Sequence, residues 1–220
     1  LTVLQADKNI SLGTVDTGRQ QNIHFDSRNH LNWGNTQEIG SRLTGAGDIT
    51  VAAGHNLRVK ASDIDATGHL QLQAGRDITV EAGTATTNLD DAYYRKRSGL
   101  FGSSSNTQTN KIDTTQAIGS NIGGRTVTLQ GGQDIHISGS NVISDAGTQI
   151  QAGQEINIVA AQNTQAEEHY RHSKSSGLMG TGGAGIFIGT KKESTESDAQ
   201  TTTHSGSLVG SLTGDTTIVA

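Results

Sequence analysis

The sequence contains no proline and no cysteine, and only 3% of its 220 residues are aromatic. Proline removes a ladder donor and is confined to the edges and bulges of sheets, so a chain built almost wholly of interior strands is expected to avoid it. Without cysteine no disulfide can form, which suits a polypeptide that crosses an oxidising compartment unfolded and suits a cytosolic protein equally. No run approaches the roughly 20 apolar residues of a membrane-spanning helix. Large apolar side chains are also scarce: 31% of residues are hydrophobic, and Leu, Ile, Val and Phe make up about a fifth. That is too little for a broad globular core, while a net charge of −5 is too small to enforce disorder.

What the chain does have is glycine, 29 residues of it, and periodicity. One phrase recurs: a small residue, any residue, Asp or Asn, then apolar–polar–apolar. It stands as Gly54-His55-Asn56-Leu57-Arg58-Val59 and, 21 positions on, as Gly75-Arg76-Asp77-Ile78-Thr79-Val80. Gly132-Gln133-Asp134-Ile135-His136-Ile137 and Gly153-Gln154-Glu155-Ile156-Asn157-Ile158 repeat it at the same interval. Earlier and later copies are Asp7-Lys8-Asn9-Ile10 and Gly214-Asp215-Thr216-Thr217-Ile218. Each copy reads as a corner, with Gly and Asx supplying backbone freedom and local hydrogen bonds, followed by a short alternating strand. With strand-like pieces at Ile64 and Leu70-Gln71-Leu72, this predicts a right-handed parallel β-helix of about three short strands per ~21-residue coil. The expected inward column includes Ile49, Val51, Leu57, Val59, Ile64, Leu72, Ile78, Val80, Ile135, Ile137, Val142, Ile150, Ile156 and Ile158.

A second period is longer. A shift of 78 residues superimposes Gly54, Ser62, Gln71, Gly75, Ile78 and Ser98-Gly99-Leu100 on identical residues. The chain thus divides into a first regular block at 41–83, an insertion at 84–117, a second block at 120–161, an insertion at 162–204, and the start of a third block at 205–220. All of 1–220 is one β-helix piece, and its strand-like ends, Leu1-Thr2-Val3-Leu4 and Thr217-Ile218-Val219-Ala220, are expected of a segment of a longer protein. Residues 16–40 read as a strand pair or loop laid against the rod, with Trp33 covering a coil face. The insertions read as antiparallel hairpins or loops extruded from it.

Catalytic and cofactor readings fare poorly. Gly180-Thr181-Gly182-Gly183-Ala184-Gly185 fits the dinucleotide-loop spacing, but a β-branched and aromatic run follows where a helix is required. Asp63, Asp65 and His69 lack the nine-residue rhythm of calcium-binding β-rolls. His169 and His172 would share a face only on a helix. No catalytic, cofactor-binding or metal-binding residues are expected, and two basic patches in an acidic chain do not make a nucleic-acid binder. The candidate interaction residues are Tyr93, Tyr94, Arg95, Lys96, Arg97, Leu100 and Phe101 in the first insertion. In the second they are Tyr170, Arg171, Leu178, Met179, Ile186, Phe187 and Ile188. Each set joins a basic, aromatic entry to a small apolar kernel that could enter a membrane interface. A solvated hairpin with a few packed apolar residues accounts for them more plainly.

The block from Glu38-Ile39-Gly40-Ser41 through Gly47-Asp48-Ile49-Thr50-Val51, and Ala74-Gly75-Arg76-Asp77-Ile78-Thr79-Val80, resembles the haemagglutinin repeat of filamentous haemagglutinin-type exoproteins. Ser175-Ser176-Gly177-Leu178-Met179-Gly180 and Thr201-Thr202-Thr203-His204-Ser205-Gly206-Ser207 are similar to that family's inter-block segments. The resemblance covers nearly the whole chain, most weakly residues 13–36. Among these proteins it looks like the second repeat region of contact-dependent growth inhibition effectors. It implies a secreted, cell-surface protein of a Gram-negative bacterium, exported through an outer-membrane two-partner secretion transporter. It further implies a non-enzymatic segment that engages the target-cell outer membrane, or a protein in it, and helps deliver a C-terminal toxin. A plain adhesin stalk and a carbohydrate-active β-helix are the alternatives, the latter needing converged carboxylates.

Overall fold

A computed structural model of the chain describes residues 1–180 and 186–220; for 179, 180, 186 and 187 it describes the backbone alone. There is no helix among the described residues. The chain starts with β1 (Thr2–Ala6) and β2 (Ile10–Leu12), then leaves in a hairpin of β3 (Thr14–Asp26) and β4 (Asn29–Gly40). It next winds through β5 (Arg42–Gly45), β6 (Ile49–Ala53), β7 (Leu57–Lys60), β8 (Asp63–Ala74) and β9 (Ile78–Glu81). A second hairpin, β10 (Gly83–Gly99) and β11 (Gly102–Ile118), precedes β12 (Asn121–Gly131), β13 (Ile135–Ser138), β14 (Asn141–Ser144), β15 (Thr148–Gln151) and β16 (Ile156–Val159). The third, β17 (Ala161–Gly180) and β18 (Ile186–Ser205), is followed by β19 (Leu208–Ser211) and β20 (Thr216–Val219).

The winding strands stack in parallel on three faces, as the 21-residue phrase predicts. β5, β14, β19 and the first halves of β8 and β12 form one face. β1, β6, β15, β20 and the second halves of β8 and β12 form another, and β2, β7, β9, β13 and β16 the third. Alternation sends every second side chain inward, where in-register pairing lines like residues up from coil to coil. Leu4, Val51, Leu72, Leu129, Ile150 and Ile218 make one such column. A core of this kind needs few large residues, because each is covered above and below by its own equivalents. Ile156 and Ile158 keep the expected column, in register with Ile135 and Ile137, but Ile156 is only half-buried and Ile158 is 37% exposed. Among the described residues β16 pairs with β13 alone.

One corner, between the third face and the first, emits all three hairpins. A serine stands there in five successive coils. The N–H groups of Ser41, Ser62, Ser120 and Ser140 donate to the hydroxyls of Ser62, Ser120, Ser140 and Ser207 at 2.9–3.2 Å. Each of those hydroxyls donates to a carbonyl, of Lys60, Glu81, Ser138 and Val159 respectively. Donor and acceptor are both used, so Ser62, Ser120 and Ser140 tolerate full burial. Where no hairpin leaves, one residue turns the corner with a left-handed backbone, Ala61 (φ 44°) or Gly139 (φ 54°).

A hairpin leaves on every second coil, and this spacing decides its fate. Two coils rise about 9.6 Å at the usual strand separation, and a two-stranded hairpin is equally wide. Successive hairpins therefore abut, and hydrogen bonds join them into one antiparallel sheet ordered β18-β17-β11-β10-β4-β3. The 78-residue period is two 21-residue coils plus the 36 residues of Gly83–Ile118. Trp33 belongs to this sheet, opposite Leu89 and Gln21, and does not cap a coil.

Glu38 fastens the sheet to the rod. Its carboxylate accepts from Lys60 Nζ on β7 (2.5 Å), from the Thr84 N–H (2.7 Å) and hydroxyl of the second hairpin, and from Thr14 of the first. Burial alone would raise its pKa, but the bonds from Lys60 and Thr84, with that from Thr14, outweigh it and hold the group at about 2 instead of 4.5. A carboxylate depressed in the folded state stabilises above its unfolded pKa and loses that contribution as pH falls toward the folded value. The displacement corresponds to about 3 kcal/mol at face value, and solvent screening at the rim reduces it to roughly 1–2. Glu38→Gln is expected to lower the urea midpoint at pH 7. The gap from wild type should narrow below pH 4.5 and close near 2; a gap independent of pH would remove the ion pair from the account.

Candidate interaction surface

Register in the hairpin sheet follows from the same commensurate spacing. Residues 78 apart lie on equivalent strands, β10 and β17, in the same cross-strand row and so on the same face. Lys96, Ser105, Lys174 and Lys192 form one such row across β10, β11, β17 and β18. The next row outward on that face is Ser98, Ser103, Ser176 and Thr190, with the Ser103 and Ser176 hydroxyls 2.9 Å apart. The next row inward is Tyr94, Thr107, His172 and Ser194. The opposite face carries Arg97, Ser104, Ser175 and Lys191, and Arg95 with Asn106, Ser173 and Glu193. A row of glycines, Gly99, Gly102, Gly177 and Gly189, separates these from the tips. The tips touch through bare backbone: a Cβ on Gly177, whose φ is +138°, would lie 2.2 Å from the Phe101 carbonyl oxygen, and the Leu178 N–H donates to that oxygen at 3.1 Å.

The structure thus gathers most of the predicted residues at the distal end of one sheet. Leu100 and Phe101 occupy the two-residue turn of the second hairpin, 98% and 75% exposed. Leu178 and Ile188 pair near the third tip and are also exposed. Arg95, Lys96, Arg97 and Arg171 point to solvent. Tyr93 is exposed, and Tyr170 stacks parallel to His172 with centroids 6.5 Å apart. Tyr94 is less available: Arg28, from the turn of the first hairpin, lies 3.8 Å over its ring, and its N–H donates to Asn29 Oδ1 at 2.6 Å. The side chains of Met179, Ile186 and Phe187, and the glycine-rich stretch from Thr181 to Gly185, lie outside the described residues.

Lys174 closes the basic entry His169–Lys174 of the second insertion, 78 positions after Lys96. Lys191, Lys192 and Arg28 are not legible in the sequence as part of the surface, because only edge-to-edge pairing of the hairpins brings the lysines of β18 into the rows. Residues 93–108 and 171–195 carry seven Lys or Arg and one acidic residue, in a chain whose net charge is −5. That acid, Glu193, is bridged by Lys191 at 2.5 Å, and the bond lowers its pKa. Lys96, Lys174 and Lys192 make no salt bridge among the described residues.

Asp63 and Asp65 flank inward Ile64, and Asp63 accepts from Asn121 Nδ2 at 3.0 Å. His69 belongs to the neighbouring face, with Nδ1 2.7 Å from the Thr126 hydroxyl. His169 and His172 face opposite sides of their strand. Among the described residues no three His, Asp or Glu side chains are grouped to hold a metal ion.

Comparison with known proteins fits this architecture. The hemagglutinin repeat family model matches residues 26–96 and 101–220. The chain belongs to the hemagglutinin-repeat family. Similar curated proteins include a tRNA nuclease CdiA of Escherichia coli strain STEC_O31, 34% identical over 165 residues, covering 73% of this chain and 5% of that protein. A 16S rRNA endonuclease CdiA of Enterobacter cloacae is 33% identical over 189 residues, covering 84% and 6% respectively. The tRNA nuclease CdiA-2 of Burkholderia pseudomallei is 27% identical over 226 residues, covering 98% and 7%. No solved structure matches the chain. The repeat is that of CdiA-type effectors, and it spans only 5–7% of the length of these relatives.

Proposed function

We propose that this hemagglutinin-repeat chain is a non-catalytic segment of a secreted, cell-surface exoprotein of a Gram-negative bacterium. It would reach the surface through an outer-membrane two-partner secretion transporter, and any nuclease would reside elsewhere in the parent protein. The rod provides length. The hairpin sheet engages the target cell, at its outer membrane or a protein in it, and assists passage of the toxin. One observation carries this reading: three hairpins leave a single corner and fuse into a sheet whose far end combines seven cations with exposed apolar tips. A stalk needs only the coils.

The test exchanges residues 93–108 and 171–195, in the full-length effector, for short turns that keep the hairpin roots. Surface display should persist, and both attachment to target cells and toxin delivery should fall. Attachment and delivery at wild-type levels would leave the plain adhesin stalk as the better account.

A further inference from the structure

We propose that the lysine row binds a lipid surface whose headgroups carry phosphate. This rests on the reading above that the distal sheet is the contact surface, and it names the ligand. Lys96 and Lys174 lie two strands apart, roughly 10 Å, with Lys192 about 5 Å further on. All three are exposed, on one face and at one height. A plane of phosphates at a bilayer surface presents anions over such an area.

The layers along the strands match those of a lipid interface. Leu178 stands four residues beyond Lys174, roughly 13 Å at the rise of a strand. Apolar elements of interfacial proteins sink about 5–10 Å into the headgroup–acyl boundary. At that depth Leu100, Phe101, Leu178 and Ile188 meet acyl chains, the Ser/Thr row meets the headgroups, and the lysines extend their stems toward phosphate. Tyr94 and His172, one row further back, remain on the aqueous side. A nucleic-acid track would carry its cations along the strands and would not end in the exposed side chains of Leu100 and Phe101.

Co-sedimentation of the chain with vesicles tests this, using phosphatidylcholine alone and phosphatidylcholine mixed with phosphatidylglycerol. Binding is expected to the mixed vesicles, at least about tenfold tighter than to phosphatidylcholine alone, and to weaken as salt shortens the Debye length. Each lysine near an anionic surface contributes about fivefold, so combining Lys96→Gln, Lys174→Gln and Lys192→Gln should weaken it about a hundredfold. Phe101→Ser with Ile188→Ser should also weaken it. All five side chains are exposed, so circular dichroism and melting should match wild type and separate lost binding from lost folding. No binding to the mixed vesicles, equal binding to both, or undiminished binding by the triple variant overturns the proposal. If vesicle binding fails while exchange of the distal hairpins still abolishes cell attachment, the lipid assignment falls and the contact surface stands. If the exchange leaves attachment and delivery intact, the contact surface itself falls.

Discussion

Gly75→Ala is expected to destabilise the rod by about 3 kcal/mol or more, although it adds a single methyl group. A Cβ at that position would lie 2.2 Å from the carbonyl oxygen of Gly54 in the coil below. Neither group can turn aside. The Gly75 N–H donates to the Ala53 carbonyl at 3.0 Å, and the Arg76 N–H to that of His55 at 2.8 Å. From above, the N–H groups of Gly132 and Gln133 bind the carbonyls of Ala74 and Arg76. Relief therefore requires breaking ladder bonds on two sides. For a chain of this size the loss should lower the melting temperature by roughly 6–12 °C. Gly210→Ala is the control, because a Cβ there meets nothing within 4 Å. Equal melting temperatures for the two variants would show that the coils slide apart freely at this corner.

The same glycine shows what was legible in the sequence and what was not. The phrase at Gly54, Gly75, Gly132 and Gly153 does mark a corner of a 21-residue coil, but not for the local reason of backbone freedom. These glycines do not have positive φ; each is required because its missing Cβ would strike the backbone of the coil beneath, 2.1–2.3 Å from a carbonyl oxygen. The Asx residues likewise bond between coils, not within their own turn. Asn9, Asn56, Asp77 and Asp134 accept from the N–H of Asn56, Asp77, Asp134 and Glu155 respectively, at 3.1–3.4 Å. A pattern repeated for stacking looks, in one copy, the same as a pattern chosen for turning. The copy at Gly214 even marks a different corner, since Thr216–Val219 follows on the face of Leu72, not of Ile78.

The hairpins were legible as pieces and opaque as a sheet. Their antiparallel form could be inferred from length and polar composition. Their union depends on a hairpin being as wide as two coils are tall, which is a property of the rod and of no hairpin residue. This is why the candidate residues were found as two separate patches, while Lys191 and Lys192, which complete the rows, were passed over.

Leu72→Ala is expected to cost about 4–5 kcal/mol, toward the upper part of the range for buried leucines. Leu72 is fully buried, with Val51 below it and Leu129 above it in register, both fully buried too. The cavity left by the substitution would be walled by neighbours whose backbones are fixed by ladders on each side, so it cannot collapse. Ile218 pairs with Ile150 in the same column and is 45% exposed. Ile218→Ala is expected to cost under about 1 kcal/mol, because most of the transfer contribution is already absent. Urea denaturation of the two variants compares them directly, and equal losses would contradict a core whose strength comes from being covered on both sides. The contrast also extends to Ile158: it occupies the inward position of its strand, in register with Ile137, and follows the repeat faithfully, but is 37% exposed. In this fold an aliphatic side chain stabilises according to its place in the stack, and its place in the phrase sets only the direction in which it points.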